Sequence, residues 1–459
     1  MKTPRIAYIC ADPGVPVFGR KGCSIHVQEV VRALLRRGVK ISLFASRFDD
    51  APPSDLADVV THPLPCPRDG ELATREQLCL KANQDLRRLL YAHGPFDFVY
   101  ERYSLWSFSG MNYARANHIP GLLEVNAPLI EEQAAHRGIV DRAGAEQVAT
   151  RAFTDATALI AVSDGVGDYL RRRGVCADAV QVIPNGVNPE RFDVAGRARH
   201  SVRAEQCQRD DGAHGVTRPT RDCHGDFTIG FVGTLKPWHG VAVLLEAFEL
   251  LHREFPNTRL LLVGDGPERA NLEARVKQLG LEAATQFTGA VAAEEIPAQL
   301  AAMDVAVAPY PLLDNFYFSP LKAYEYMAAG CATVASRIGQ LDGLIQHEQN
   351  GLLCEPGNAD DLAAQLTRLL ADETLRQKLA AAGRRTILRG HTWDHVAGRI
   401  LELAGRMETN VERVTPCAPS SWWGETTGEP AREDARPTDG AHGVTRPTAT
   451  VLTGQSHEV

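Results

Sequence analysis

The stretch YFSPLKAYEYMAAG (317–330), followed at once by CATVAS (331–336), is a helical pattern running into a short β-branched strand pattern. Ser319 suits a helix N-cap and Pro320 the first helical position, so Leu321 and Lys322 follow at a positive helix end whose backbone N–H groups can seat an anion. Lys322 adds a mobile cation. Glu325 lies one turn further along the same side. An acid so close to an anion site either pairs with Lys322 on a solvated face or accepts the paired hydroxyls of a neutral polyol such as a ribose.

Helix followed by strand is the repeating unit of the whole chain. Upstream, FTIGFVGT, TRLLLVGDGP, QFTGAV and DVAVAPY are each followed by a helical stretch, which reads as a parallel sheet. The first half repeats the scheme with Arg5 to Cys10, Lys40 to Ala45, Phe96 to Tyr100, Gly121 to Val125, Ala158 to Val162 and Val180 to Ile183. Between them, HVQEVVRALLRRGV spaces Val27, Val30, Val31, Leu34 and Leu35 at helical intervals. At 459 residues, two domains are expected. The expected division is residues 1–190, a linker 191–226, residues 227–390, a helix 391–407 packing back on the first domain, and a disordered tail 408–459. Two doubly wound sheets facing each other form a cleft, and ligands in such sheets sit at the carboxyl ends of the strands.

Composition supports an ordinary globular protein: 44% of residues are apolar and 23% charged. A net charge of −8 speaks against a nucleic-acid partner. The opening run is too short for a signal sequence and no stretch approaches the ~20 apolar residues of a membrane span, so a cytoplasmic protein is expected. The basic stretches RALLRRG and DYLRRRG leave room for peripheral contact with the inner face of a membrane, although a solvated helix face is the commoner role. Ten scattered cysteines without two-residue spacing read as reduced thiols. Cys207, Cys223 and His224 fit no usual metal pattern. The decapeptide DGAHGVTRPT occurs at 211–220 and again at 439–448, which reads as a duplicated insert in tolerant positions. Trp422 and Trp423 stand out in a tail otherwise poor in apolar residues.

Other chemistry-bearing positions cluster at the strand ends. GFVGTLKPWHG (230–240) ends a strand with Gly233 and then supplies Lys236, a candidate phosphate cation, and His239. In VFGRKGCSIH, Gly19 and Gly22 precede the first long helix, where backbone could approach a phosphate or a sugar or simply form a loop.

Taken in order from residue 5 to about 405, FGRKGCSIHVQEVVRALLRRG, ALIAVSDGV, VIPNGVNPERF, FVGTLKPWHGVAVLLEAF, LLVGDGPER, FTGAV, DVAVAPY and SPLKAYEYMAAGCATVAS resemble the GT-B glycosyltransferases of the family 4 type, retaining nucleotide-sugar enzymes. The resemblance implies an α/β GT-B fold with two Rossmann-like domains, donor mainly in the second and acceptor in the first. It implies that Lys236 binds the donor diphosphate, that Ser319, Pro320, Leu321 and Lys322 cradle it, that Glu325 holds the ribose, and that Gly19 lies beneath the diphosphate. Asn185 and Gly186 would form the interdomain turn. The donor would be a nucleotide-diphosphate sugar, the acceptor a carbohydrate or lipid-linked molecule, and no metal or other cofactor would be needed. A nucleotide-sugar epimerase or a non-catalytic nucleotide-sugar-binding protein on the same architecture are the alternatives.

Three departures from the family pattern bear on the site. Where the family carries an acid eight positions before Glu325, this chain has Tyr317, with Asp314 a possible replacement. The family's arginine in the first loop of the second domain is Thr234 here, its second base is His239, and Lys236 lies between them. After the strand IPGLLEV, where many members carry a histidine, this chain has Asn126, which donates a hydrogen bond but is no general base near neutral pH. Glu124 and Glu131 flank Asn126 as candidate acceptor contacts, although an exposed position or a helix-start acid is the commoner role for a residue placed like Glu131. His26 and His136 are left as packing or surface residues.

Overall fold

A computed structural model of the chain describes residues 3–67, 70–193, 227–313, 316–317 and 319–408. Both decapeptide copies, Cys207, Cys223, His224, Asp314, the paired tryptophans, most of the expected linker and residues 409–459 of the expected tail lie outside the described residues. All described residues belong to one compact unit.

Two all-parallel sheets are formed. The first has the order β3-β2-β1-β4-β5-β6-β7 and the second β10-β9-β8-β11-β12-β13. In the first, β1 (Arg5–Cys10), β2 (Lys40–Ala45), β4 (Phe98–Arg102), β5 (Gly121–Val125) and β6 (Ala158–Ala161) lie between the edge strands β3 (Val60–Pro63) and β7 (Val180–Val182). In the second, β8 (Phe227–Val232), β9 (Thr258–Val263), β11 (Val305–Ala308) and β12 (Ala332–Ser336) lie between β10 (Thr285–Gly289) and β13 (Leu352–Cys354). Strands such as VAVA and ATVAS are buried at every position, because helices cover both faces of a parallel sheet. This is the GT-B arrangement of two Rossmann-like domains.

Strand order reverses between β1 and β4 in the first sheet and between β8 and β11 in the second. Crevices outside the carboxyl ends of strands at such reversals are where ligands bind, which directs attention to the loops after residues 10, 102, 232 and 308.

Helix α10 (Leu321–Ala328) carries the opening stretch of the sequence; Ala323, Tyr324, Tyr326, Met327 and Ala328 are buried, while Lys322 and Glu325 are only half-buried. (Helices are numbered α1 Gly22–Arg36, α2 Leu72–His93, α3 Ser109–Ala116, α4 Leu129–His136, α5 Arg142–Asp155, α6 Asp164–Arg172, α7 Val241–Glu254, α8 Arg269–Leu279, α9 Ile296–Ala301, then α10, α11 Gln340–Leu344, α12 Ala359–Ala371, α13 Glu373–Gly390 and α14 Trp393–Glu408.) The last of these, α14, sets Trp393, Val396, Ala397 and Ile400 into the same core as Val27, Val30, Val31 and Leu34 of α1. The turn at Asn185 and Gly186 lets the chain pass so close that a Cβ on Gly186 would sit 2.5 Å from the Trp393 amide nitrogen.

No helix among the described residues is long and apolar enough to cross a membrane. The basic stretches are partly neutralised within the protein: Arg36 pairs with Asp394, Arg171 with Asp168, and Arg173 with Glu146 and Glu131.

Candidate functional site

The loop after β8 is shaped by close approach. Gly233 adopts φ +150° and Gly264, after β9, φ +133°. A Cβ on Gly233 would stand 2.2 Å from Lys322 Cε, and one on Gly264 2.1 Å from the Gly233 carbonyl oxygen. Glycine at 233 therefore makes room for the stem of Lys322, which crosses from α10 to the end of β8.

Lys322 Nζ donates to His239 Nε2 at 3.0 Å, and His239 Nδ1 donates to the Thr234 carbonyl. This pairing fixes a neutral imidazole with its proton on Nδ1. Burial, followed by the Lys322 charge, pushes the His239 pKa down to about 4, against the pull of the Thr234 carbonyl. Burial also pushes Lys322 down to about 8, with Glu325 opposing the shift. The Lys322 ammonium lies 5.7 Å from the ring centres of both Phe231 and Tyr310. Lys236 holds its ammonium 5.4 Å from the Trp238 ring centre and has no ion-pair partner among the described residues. Trp238 in turn faces His136 of α4 on the first sheet's side, ring centres 6.4 Å apart.

One turn beyond Lys322, the Glu325 carboxylate has no hydrogen-bond or ion-pair partner among the described residues. Burial raises its pKa, and the more distant charges of Arg191 and Lys322 pull the other way. The i,i+3 ion pair with Lys322 that a solvated face would form is absent, because Lys322 turns to His239. Two cations at the ends of β8 and β11 with an unpaired carboxylate one turn away suit an anion joined to a neutral polyol.

The start of α10 differs from the sequence expectation. Pro320, not Ser319, occupies the cap position, with φ −82° and ψ 64°. Those angles are those of an inverse γ-turn, in which the Leu321 N–H donates to the Ser319 carbonyl at 2.9 Å. The Leu321 amide is thereby spent inside the protein. The Ser319 hydroxyl does not cap the helix; its Oγ is buried with no hydrogen-bond partner among the described residues.

Lys236, Ser319, Pro320, Leu321, Lys322 and Glu325 thus gather around the ends of β8 and β11, whereas Gly19 and Asn126 stand on the first sheet. Gly19 is buried in the loop after β1: its N–H donates to the Pro16 carbonyl at 3.0 Å and its own carbonyl accepts from Gln28 at 2.9 Å. Asn126 follows β5, and its Nδ2 is buried with no hydrogen-bond partner among the described residues.

Several contacts escaped the sequence. Glu124 does not face the cleft: its carboxylate is buried and bonded to His26 Nε2 at 2.7 Å, with Arg102 at 4.0 Å. Burial pushes its pKa up, but His26 and Arg102 outweigh that and hold it below the usual carboxylate value. Glu131 is exposed and pairs with Arg173. Tyr317, at the position of the family's missing acid, joins the two sheets: its hydroxyl donates to Glu132 at 2.5 Å and its carbonyl accepts from the Ser163 hydroxyl at 2.7 Å. The His26–Glu124, Ser163–Tyr317 and Glu132–Tyr317 partners lie 98 to 185 residues apart in sequence, out of reach of any local pattern.

Residues 20–191 match the family described as Glycosyltransferase Family 4, and residues 219–386 that described as Glycosyl transferases group 1. The chain belongs to the family 4 GT-B glycosyltransferases. An uncharacterized glycosyltransferase of Methanocaldococcus jannaschii is 30% identical over 223 residues, 48% of this chain and 52% of that protein, so the chain spans about half the length of that relative. The D-inositol 3-phosphate glycosyltransferase of Pseudarthrobacter chlorophenolicus is 24% identical over 422 residues, 87% of this chain and 93% of that protein. Among solved structures, Anabaena HepE in complex with UDP superposes with a TM-score of 0.65 at 17% identity, covering 88% of this chain and 100% of that one.

Proposed function

We propose that this family 4 glycosyltransferase moves a sugar from a nucleotide-diphosphate donor, held at the ends of β8 and β11, to a hydroxyl of an acceptor held by the first sheet, with retention of anomeric configuration. The single observation that carries the reading is the Lys322–His239–Thr234 chain beside the unpaired carboxylate of Glu325. In it, Lys322 and Lys236 hold the diphosphate, Glu325 accepts the two ribose hydroxyls, and the Ser319 hydroxyl and the Pro320 turn line the seat. Gly19 lies beneath the diphosphate from the other domain. The UDP bound to HepE makes a uridine diphosphate sugar the first donor to test.

Chemistry follows from charge. As the glycosidic C–O bond to the diphosphate breaks, negative charge grows on the departing oxygen, and groups already aimed there stabilise it without reorganisation. Hydrogen bonds to charged groups are worth roughly 1.5 to 3 kcal/mol each, about one to two powers of ten in rate or affinity. The departing oxygen takes the acceptor hydroxyl's proton on the same face, so Asn126 need only orient and donate a hydrogen bond. The lysines carry the countercharge, and the reaction needs no metal.

A thermal-shift screen of UDP, GDP, ADP and their sugars tests the donor half. A donor present at 100 times its dissociation constant raises stability by about 2.7 kcal/mol. A shift from one nucleotide family that Glu325→Ala abolishes supports the reading; identical shifts in wild type and variant, or none, contradict it. Proton NMR of the product's anomeric centre tests retention.

A further inference from the structure

A cleft of about 280 Å³ opens at the carboxyl side of the first sheet, between the loop after β1, the start of α2, the loop after β4 and helix α4. Three acids line it, and each has a partner. Glu76 accepts the amides of Val140 and Asp141, both at 2.9 Å; Glu132 accepts the Tyr317 hydroxyl; Asp12 accepts the Gly14 amide at 2.7 Å. The two arginines on its wall are different. Neither Arg75, on the first turn of α2, nor Arg137, just past α4, has a hydrogen-bond or ion-pair partner for its side chain among the described residues. Arg75 Nε is buried without an acceptor, and so is the hydroxyl of Ser104 on the same wall.

A buried donor without an acceptor is costly, and arginine's planar fork matches the oxygens of a phosphate. Three neighbouring carboxylates leave these guanidiniums alone. The half-buried indole of Trp106 supplies an apolar wall of the kind that packs on the C–H face of a ring. The cleft also reaches the donor side directly, because Glu132 on its wall bonds Tyr317, two residues before Ser319.

From these groups we infer that the acceptor is a phosphorylated polyol, its phosphate monoester gripped by Arg75 and Arg137, with Ser104 and Trp106 against its ring. The inference rests on the proposed transfer reaction, which gives this cleft an acceptor to hold. Two guanidiniums match a group carrying about −1.5 to −2 charge near neutral pH.

Calorimetric titration of the full chain tests it, with and without UDP. The probes are myo-inositol 1-phosphate, glucose 6-phosphate and inorganic phosphate, against myo-inositol, glucose and glucuronate. At least one phosphorylated polyol should bind about tenfold or more tightly than its uncharged parent, and Arg75→Gln and Arg137→Gln should each remove about tenfold of that affinity. UDP affinity should stay unchanged in both variants, and Arg75→Lys should restore only part of the loss, since lysine lacks the fork. Equal binding of phosphorylated and uncharged probes, no binding of any phosphorylated polyol, glucuronate matching the phosphates, or arginine variants that bind like wild type would each overturn the inference. Wild-type UDP binding is scored separately: its failure strikes the donor reading, while the phosphate comparison without UDP still decides this one.

Discussion

Both sheets reverse strand order beside their first strand, yet the acids at the two crevices are finished in opposite ways. Above β4 and β5, the acids are turned inward. Glu101 accepts the Ser107 hydroxyl, and burial pushes its carboxyl up to about 7; Glu124 is locked to His26, whose ring stands edge-on to Trp393. Above β8 and β11, Glu325 is left open and the lysines are held by neutral groups or none. A charge with its partner inside the protein holds the fold, and a charge kept from its nearest partner waits for a ligand.

That contrast can be broken or sharpened by substitution. The largest effect is expected at His26→Ala, which strands a buried carboxylate and should cost about 3 to 5 kcal/mol of stability. Chemical denaturation reads this loss, and UDP affinity of the folded variant should match wild type. Next comes Lys322→Ala, which should weaken UDP binding by about 10- to 100-fold while leaving the denaturation midpoint unchanged or higher, since a poorly solvated ammonium is removed. Calorimetry of UDP binding checks it, and a large stability loss with intact binding would reverse the contrast. Lys236→Ala should cost about tenfold in UDP affinity, because its ammonium has no partner to strand.

The smallest expected effect is on pH. Burial lowers the Lys322 pKa to about 8, so its charged, anion-binding form is full below that value and is lost as pH rises through it. UDP affinity should therefore fall severalfold above about pH 8, and Lys322→Arg should keep its affinity over the same range. On the acid side, His239 stays neutral until about pH 4, so it adds no limb near neutrality.

The two parallel sheets were legible because fully buried parallel strands write unbroken β-branched runs such as VAVA and ATVAS into the sequence, whereas the GT-B architecture was implied by the family resemblance and the strand order came only from the fold. That Lys322 and Glu325 share one helix was legible because their spacing is local. The cap of α10 was not, since Ser-Pro fits two helix starts and the turn at Pro320 selects between them. Nor were the His26–Glu124 pair or the Tyr317–Glu132 bridge, which exist only once separate elements meet. Asn126 and Tyr317 could be recognised as departures from a pattern, but only the fold gives Tyr317 its bridging partner.

A crystal structure of the protein with UDP tests the central claim most directly. The diphosphate should lie within hydrogen-bond reach of Lys322 Nζ and Lys236 Nζ, with both ribose hydroxyls on the Glu325 carboxylate. A nucleotide bound elsewhere, with Glu325 turned away from it, would contradict it.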